Sequence, residues 1–200
     1  MQRVLMLSVS TVVVAWAASA FADSPNLKGD YGFTRTVRCI VSPTPPGGFD
    51  DHNRAQKPYF GEAFAEEGVA TFDGAGKGTE SFTGLNIEIP SDHSGANSFS
   101  VKDHGFVYVV GDDGMWLIPG GGEIKGHVDD GPRQDQTFTI APINGSVGHI
   151  STNAATLTLS TVGPPVIETI TYSSPDPYGF STFTRICNRS TVFISLPPGQ

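Results

Sequence analysis

The stretch YGFTRTVRCIV, residues 31–41, alternates with a period of two. Tyr31, Phe33, Arg35, Val37, Cys39 and Val41 share one face of a strand, and Gly32, Thr34, Thr36, Arg38 and Ile40 share the other. Near the far end of the chain, YGFSTFTRICNRS, residues 178–190, is a similar strand-like segment that carries the second cysteine, Cys187. A bond between Cys39 and Cys187 sets the first and last strands side by side. An antiparallel sheet whose two ends meet is a closed barrel. The chain therefore reads as all-β, a single antiparallel β-barrel of about 8–10 strands, with its first and last strands joined by a disulfide.

Between these two segments, Gly, Asp, Asn and Pro punctuate runs of β-branched and aromatic residues. Residues 69–72 lead through Asp73-Gly74-Ala75-Gly76-Lys77-Gly78 to a returning strand at 79–89. Residues 105–110 lead through Gly111-Asp112-Asp113-Gly114 to 115–118. Both connections have the glycines that tight hairpins require. Further strands are expected at 137–140, 148–151, 156–161, 166–172 and 178–188, with a tail strand at 191–194. No stretch has the 3.6-residue period of a long helix, and 62–67 has room for one helical turn. Loops are expected at 42–58, 90–97 and 119–133, the last with a short strand at 123–128. The predicted core is Phe33, Val37, Phe72, Phe82, Val107, Val109, Trp116, Phe138, Leu157, Leu159 and Phe183.

Residues 1–22 read as a secretory signal: Arg3, an apolar run, then the small-x-small site Ala20-Phe21-Ala22. Residues 23–200 form the barrel domain. The apolar run is short beside the ~20 residues of a membrane span, so no integral span remains after cleavage. The expected destination is the periplasm or the extracellular space, where a disulfide persists. Twelve Lys and Arg against twenty Asp and Glu give a formal charge of −8. That balance argues against nucleic acid as a partner, since phosphate binding needs clustered cations. Five scattered histidines and two cysteines offer no metal site. No cofactor motif is present.

The apolar face of the first strand carries Arg35 inward. In the last strand, Phe183, Arg185, Cys187 and Arg189 share a face. The disulfide puts both faces on one side of the sheet, so Arg35, Arg185 and Arg189 cluster inside the barrel. A buried guanidinium must be paired, and a carboxylate is its natural partner, internal or from a ligand. The alternative is a bulge before Cys187 that turns Arg185 to solvent.

Gly29-Asp30-Tyr31 at the opening of the first strand, with an arginine on the last, is similar to the calycin and lipocalin pattern. There a Gly-x-Trp is capped by a terminal-strand arginine. Tyr31 stands where that pattern has Trp, and no helix follows the last strand. The hairpin Thr71 to Gly78 and the strand Gly105-Phe106-Val107-Tyr108-Val109-Val110 resemble exported bacterial barrels of allene oxide cyclase-like type. The resemblance implies the fold and passes on no catalytic residues.

Asp51-His52, Asp92-His93 and Asp103-His104 are acid–imidazole neighbours, which act together only where a loop lets both side chains converge. Polar loop residues are the simpler reading. Three functions stand open. The first is non-catalytic binding of a small, partly apolar molecule, with a carboxylate head held by Arg35, Arg185 and Arg189 and with Tyr31 alongside. The second is an isomerase- or cyclase-type enzyme using polar groups of the lumen. The third is a structural or surface-interaction protein whose barrel is filled solid.

Overall fold

Alternating sequence becomes strand almost everywhere in the computed structural model, which describes residues 27–89, 95–161, 163–176 and 178–197. The signal segment and Asp92-His93 lie outside these residues. Among the described residues fourteen strands follow one another. They are β1 (Lys28–Pro43), β2 (Gly48–Phe49), β3 (Ala55–Gln56), β4 (Phe60–Asp73), β5 (Lys77–Ile89), β6 (Ala96–Val107) and β7 (Val109–Val110). Then come β8 (Met115–Ile118), β9 (Ile124–Asp130), β10 (Thr137–Ala141), β11 (Ser146–His149), β12 (Thr156–Thr161), β13 (Glu168–Tyr172) and β14 (Thr182–Ser195). No helix occurs among the described residues. The turn allowed at 62–67 is the middle of β4, because Glu62, Phe64 and Glu66 keep the inward parity of Phe60 and Phe72. The loop expected at 42–58 holds the small β2–β3 hairpin.

Eight strands close the barrel in the order β1-β4-β5-β6-β9-β10-β13-β14, with β14 returning to β1. The strands β14, β1, β4, β5 and β6 are long and make one continuous wall. The opposite side is completed in two parts. At one end β13 lies along Thr182 to Arg185 of β14, and at the other β12 lies along Ser190 to Ile194. From β12 the sheet continues through β11 and β8 to β7.

The β1–β14 register is unbroken, and Cys39 stands directly opposite Cys187 with Cα atoms 4.1 Å apart and the sulfurs bonded. No bulge intervenes. The segments expected at 178–188 and 191–194 are not two strands: the strand begins at Thr182 and runs through both. Tyr178-Gly179-Phe180 is instead a turn, held by Asp176 Oδ1 accepting from the amides of Tyr178 and Phe180. The two YGF segments are thus alike in sequence and different in structure.

A bulge does occur between β5 and β6, where the register shifts at Glu80/Phe82 and Asp103 takes a φ of 51°. It exchanges the faces of the strand beyond it. Val107 and Val109 therefore point outward, 52% and 51% exposed, and Tyr108 points in. The other nine predicted core residues are buried.

The interior is filled by setting rings over glycines. In register, Gly68 opposes Phe82, Gly78 opposes Phe106, Gly84 opposes Phe99 and Gly126 opposes Phe138. A Cβ at Gly84 would come within 2.5 Å of the Phe99 ring, and one at Gly126 within 2.2 Å of the Phe138 ring. These glycines make room for the neighbouring ring rather than a turn.

Candidate functional site

The inward positions of the wall carry rings, charges and smaller side chains, and the buried charges begin beyond an aromatic cluster at one end of the barrel. At the end where β1 begins, Tyr31, Phe72, Tyr108, Trp116 and Phe193 pack edge to face. Tyr31 donates its hydroxyl to the Ala154 carbonyl at 3.0 Å, and Tyr108 donates to the Leu27 carbonyl at 2.7 Å. Burial raises both phenol pKa values. Tyr31 thus belongs to an aromatic plug, away from Arg185 and Arg189.

Arg35 comes next. Its Nη1 donates to Glu66 at 3.1 Å, its Nη2 to Glu80 at 2.6 Å and its Nε to the Thr191 hydroxyl at 3.2 Å. The guanidinium also lies over Phe33 and Phe82. Desolvation opposes its charge, but Glu80 and Glu66 outweigh that and raise its pKa. Glu66 is raised as well, chiefly by burial against the pull of Arg35.

Beyond the disulfide, Glu168 at the head of β13 is fully buried and forms a hub. It accepts from Arg185 Nε at 3.1 Å, from Arg189 Nη2 at 2.6 Å and from the Asn144 amide at 3.2 Å. Burial pushes the Glu168 pKa up, yet Arg189 and Arg185 together bring it below the usual carboxylate value. Arg185 Nη1 lies 3.8 Å from Glu62, too far for a hydrogen bond.

Glu62 is the least satisfied of these acids. Its Oε1 accepts from Asn86 at 3.4 Å, while Oε2 has no hydrogen-bond partner. Burial lifts its pKa to about 7, with Arg185 opposing and Glu88 adding to the rise. From Asn86 a polar chain runs to the mouth. Asn86 Oδ1 takes the Asn97 amide at 3.1 Å, Asn97 Oδ1 takes the Arg133 amide at 3.1 Å, and Arg133 Nη2 donates to Asp176 at 3.0 Å. Arg133 stacks on Tyr172 and Phe183, and burial raises the Tyr172 pKa.

The structure therefore brings Arg35, Arg185 and Arg189 inside, and each is met by internal carboxylates. Between the Arg35 and Arg185 layers lies a cavity of about 40 Å³ bordered by Val37, Phe64, Glu66 and Arg189. That is room for one to a few waters at ~10–15 Å³ each, against roughly 300–1,000 Å³ for small-molecule sites. A larger concavity is on the outside. A groove of about 800 Å³ crosses the long-strand wall over Gly32, Thr34, Val69, Ser81 and Thr83, edged by Val192 and Ile194.

Sequence reading found the arginines and missed their partners. The signal was present: Glu62 and Glu66 keep the parity of Phe60 and Phe64, and Glu80 and Glu88 keep that of Phe82. Of the acid–imidazole neighbours, Asp51-His52 sits in an exposed turn. At the bulge Asp103 faces solvent and accepts from the Ser81 hydroxyl, while His104 turns inward near Glu80. Desolvation lowers the His104 pKa against the pull of Glu80. The disulfide is compatible with an exported protein, and no helix among the described residues is long and apolar enough to cross a membrane.

No known protein family, curated protein or solved structure matches this chain.

Proposed function

We propose that the protein is an exported, non-catalytic surface-interaction protein, a solid disulfide-closed barrel that binds through the outside of its long-strand wall. One observation supports this above the rest. Arg35, Arg185 and Arg189 already hold internal carboxylates, and the cavity between them is about 40 Å³. A carboxylate-bearing ligand would have to displace Glu168 or Glu66 and leave it buried and unpaired, a loss of about 3–5 kcal/mol.

A second reading is favoured by Glu62. A buried carboxyl with a pKa of about 7 and one free oxygen is suited to proton transfer near neutrality. A small, partly apolar guest or an isomerase-type reaction in the lumen would use it, provided the lumen opens. One experiment separates the two readings. Native mass spectrometry of the protein purified from its own host, together with titration by a fluorescent fatty acid, is expected to show neither a retained molecule nor binding. A retained organic molecule that disappears in Glu62→Gln or Arg185→Met would establish the lumenal reading instead.

A further inference from the structure

The outer face of the long-strand wall is complementary to itself. Register aligns its outward side chains in rows across β1, β4 and β5, with Thr36, Ala65 and Leu85 as the middle row. To one side stand the aliphatic residues Ile40, Ile87 and Ile89, exposed by 52%, 45% and 58%. To the other side lie Gly32, Thr83 and Ser81, in the groove of about 800 Å³. A ridge and a groove thus occupy the two halves of one face. In these rows the charged residues are Arg38 and Glu67, one row to either side of the middle. Both are exposed, and neither is ion-paired within the chain among the described residues.

We propose that a second copy of this chain docks face to face on this wall, about a two-fold axis lying along the Thr36, Ala65, Leu85 row. This rests on the outer-wall reading above and names its partner. Such an axis sets each residue against the one equally far beyond the middle row on the same strand of the other copy. Ile40 then meets Gly32 and the Leu196 that leans over it, Ile89 meets Ser81, and Ile87 meets Thr83. Val69 meets Gly61 on β4. Larger residues lie over smaller ones on β4 and β5, Ile40 packs on Leu196 at the β1 edge, and the ridge of each copy enters the groove of the other. Arg38 comes over Thr34 of the other copy, one strand spacing of about 4.8 Å from Glu67, and the symmetry makes this ion pair twice.

The extent suits a dimer. Five strands about 4.8 Å apart, over about ten residues rising ~3.4 Å each, offer on the order of 800 Å². A standard interface takes about 800 Å² from each partner. The exposed aliphatic side chains of Ile40, Val69, Leu85, Ile87 and Ile89 supply the apolar contact area, and the one cation and one anion of these rows are placed to pair across the axis.

Sedimentation of the purified mature protein across micromolar concentrations tests this. A reversible dimer is expected. Ile87→Lys should leave a monomer with an unchanged circular dichroism spectrum, since the side chain faces outward. Arg38→Glu should weaken dimerisation by roughly tenfold, through two lost pairs replaced by like charges. Adding Glu67→Arg to Arg38→Glu should restore the affinity, which a merely structural residue would not do. A wild-type monomer throughout the range, or a dimer indifferent to all three variants, overturns the proposal. Either of those outcomes with a ligand-free lumen leaves surface binding to another partner intact. A ligand-filled lumen removes the outer-wall reading itself.

Discussion

The two ends of the barrel are filled by opposite means. Where β1 starts, Phe72 touches Tyr31, Phe106, Tyr108, Trp116 and Phe193, all edge to face. Where β1 ends, the interior is crossed by Arg185, Arg189, Glu168, Glu62, Arg133 and Asp176. The aromatic end is held by area and shape, which need no particular partner. The charged end is held by direction, since each guanidinium must find a carboxylate at hydrogen-bonding distance or the burial is unfavourable. Little space is left at either end, but by different routes: edge-to-face rings at one end, and paired charges among the Phe60, Tyr172 and Phe183 rings at the other.

The largest expected effects come from breaking each end separately. Phe72→Ala removes the ring that all its neighbours share and should destabilise by about 3–5 kcal/mol. Arg185→Ala should cost a similar ~3–5 kcal/mol, for a different reason: Glu168, fully buried, keeps its charge with one partner fewer. The contrast shows in a second substitution. Adding Glu62→Gln to Arg185→Ala should recover part of the loss, because it removes the buried carboxylate that faced the lost guanidinium, while Glu168 keeps Arg189. No neighbouring polar change should recover Phe72→Ala. Urea unfolding of the set measures both, and an Arg185→Ala loss that Glu62→Gln leaves untouched would mean that packing, and not charge, holds that end as well.

A smaller effect separates two acids within the charged end. Glu62, raised from 4.5 to about 7, favours the folded state fully below about pH 4.5, and that contribution is lost as pH rises to about 7. Glu168, lowered, has the opposite sign. Its contribution is present above about pH 4.5 and is lost as pH falls through its folded value. Glu62→Gln should therefore flatten the decline in melting temperature between about pH 5 and about pH 7.5. Glu168→Gln should lower the melting temperature at neutral pH, and the deficit should shrink in acid. An unchanged slope in Glu62→Gln would place that carboxyl in contact with water.

Much of this division could be read in the chain, and what could not has a physical reason. The alternation around Cys39 and Cys187 gave the correct faces for Tyr31 to Val41 of β1 and for Phe183 to Arg189, because a two-residue period leaves no freedom once one residue is placed. That placed the guanidiniums inside. Their carboxylates lie on other strands, and which strands adjoin is a property of topology that local pattern does not carry. Val107 and Val109 were misassigned because a bulge of one residue at Asp103 shifts parity without any signal in hydrophobicity. Gly84 and Gly126 fall inside the strands expected at 79–89 and 123–128, where nothing local gives them a role. Their role as seats for Phe99 and Phe138 appears only when the neighbouring strand is in register.

Tyr31 gives the finest test of the comparison, because its ring belongs to the aromatic end and its hydroxyl to a hydrogen bond. The ring packs against Phe72 at a centroid distance of 5.2 Å with planes at 82°, and the hydroxyl donates to Ala154 at 3.0 Å. Tyr31→Phe keeps the ring and gives up the donor. The Ala154 carbonyl lies in a turn near solvent and can turn to water, so little desolvation remains uncompensated. The expected loss is about 1 kcal/mol, the net value of one such bond. Tyr31→Leu removes the edge-to-face contact as well and should lose about 0.5–1.5 kcal/mol more. Neither variant should alter the pH profile set by Glu62, which lies toward the other end of β4. A Tyr31→Phe loss equal to that of Tyr31→Leu would mean that the hydroxyl, and not the ring, fixes this end of the barrel. A pH profile that moves with Tyr31 would mean that the two ends are coupled through the lumen rather than filled independently.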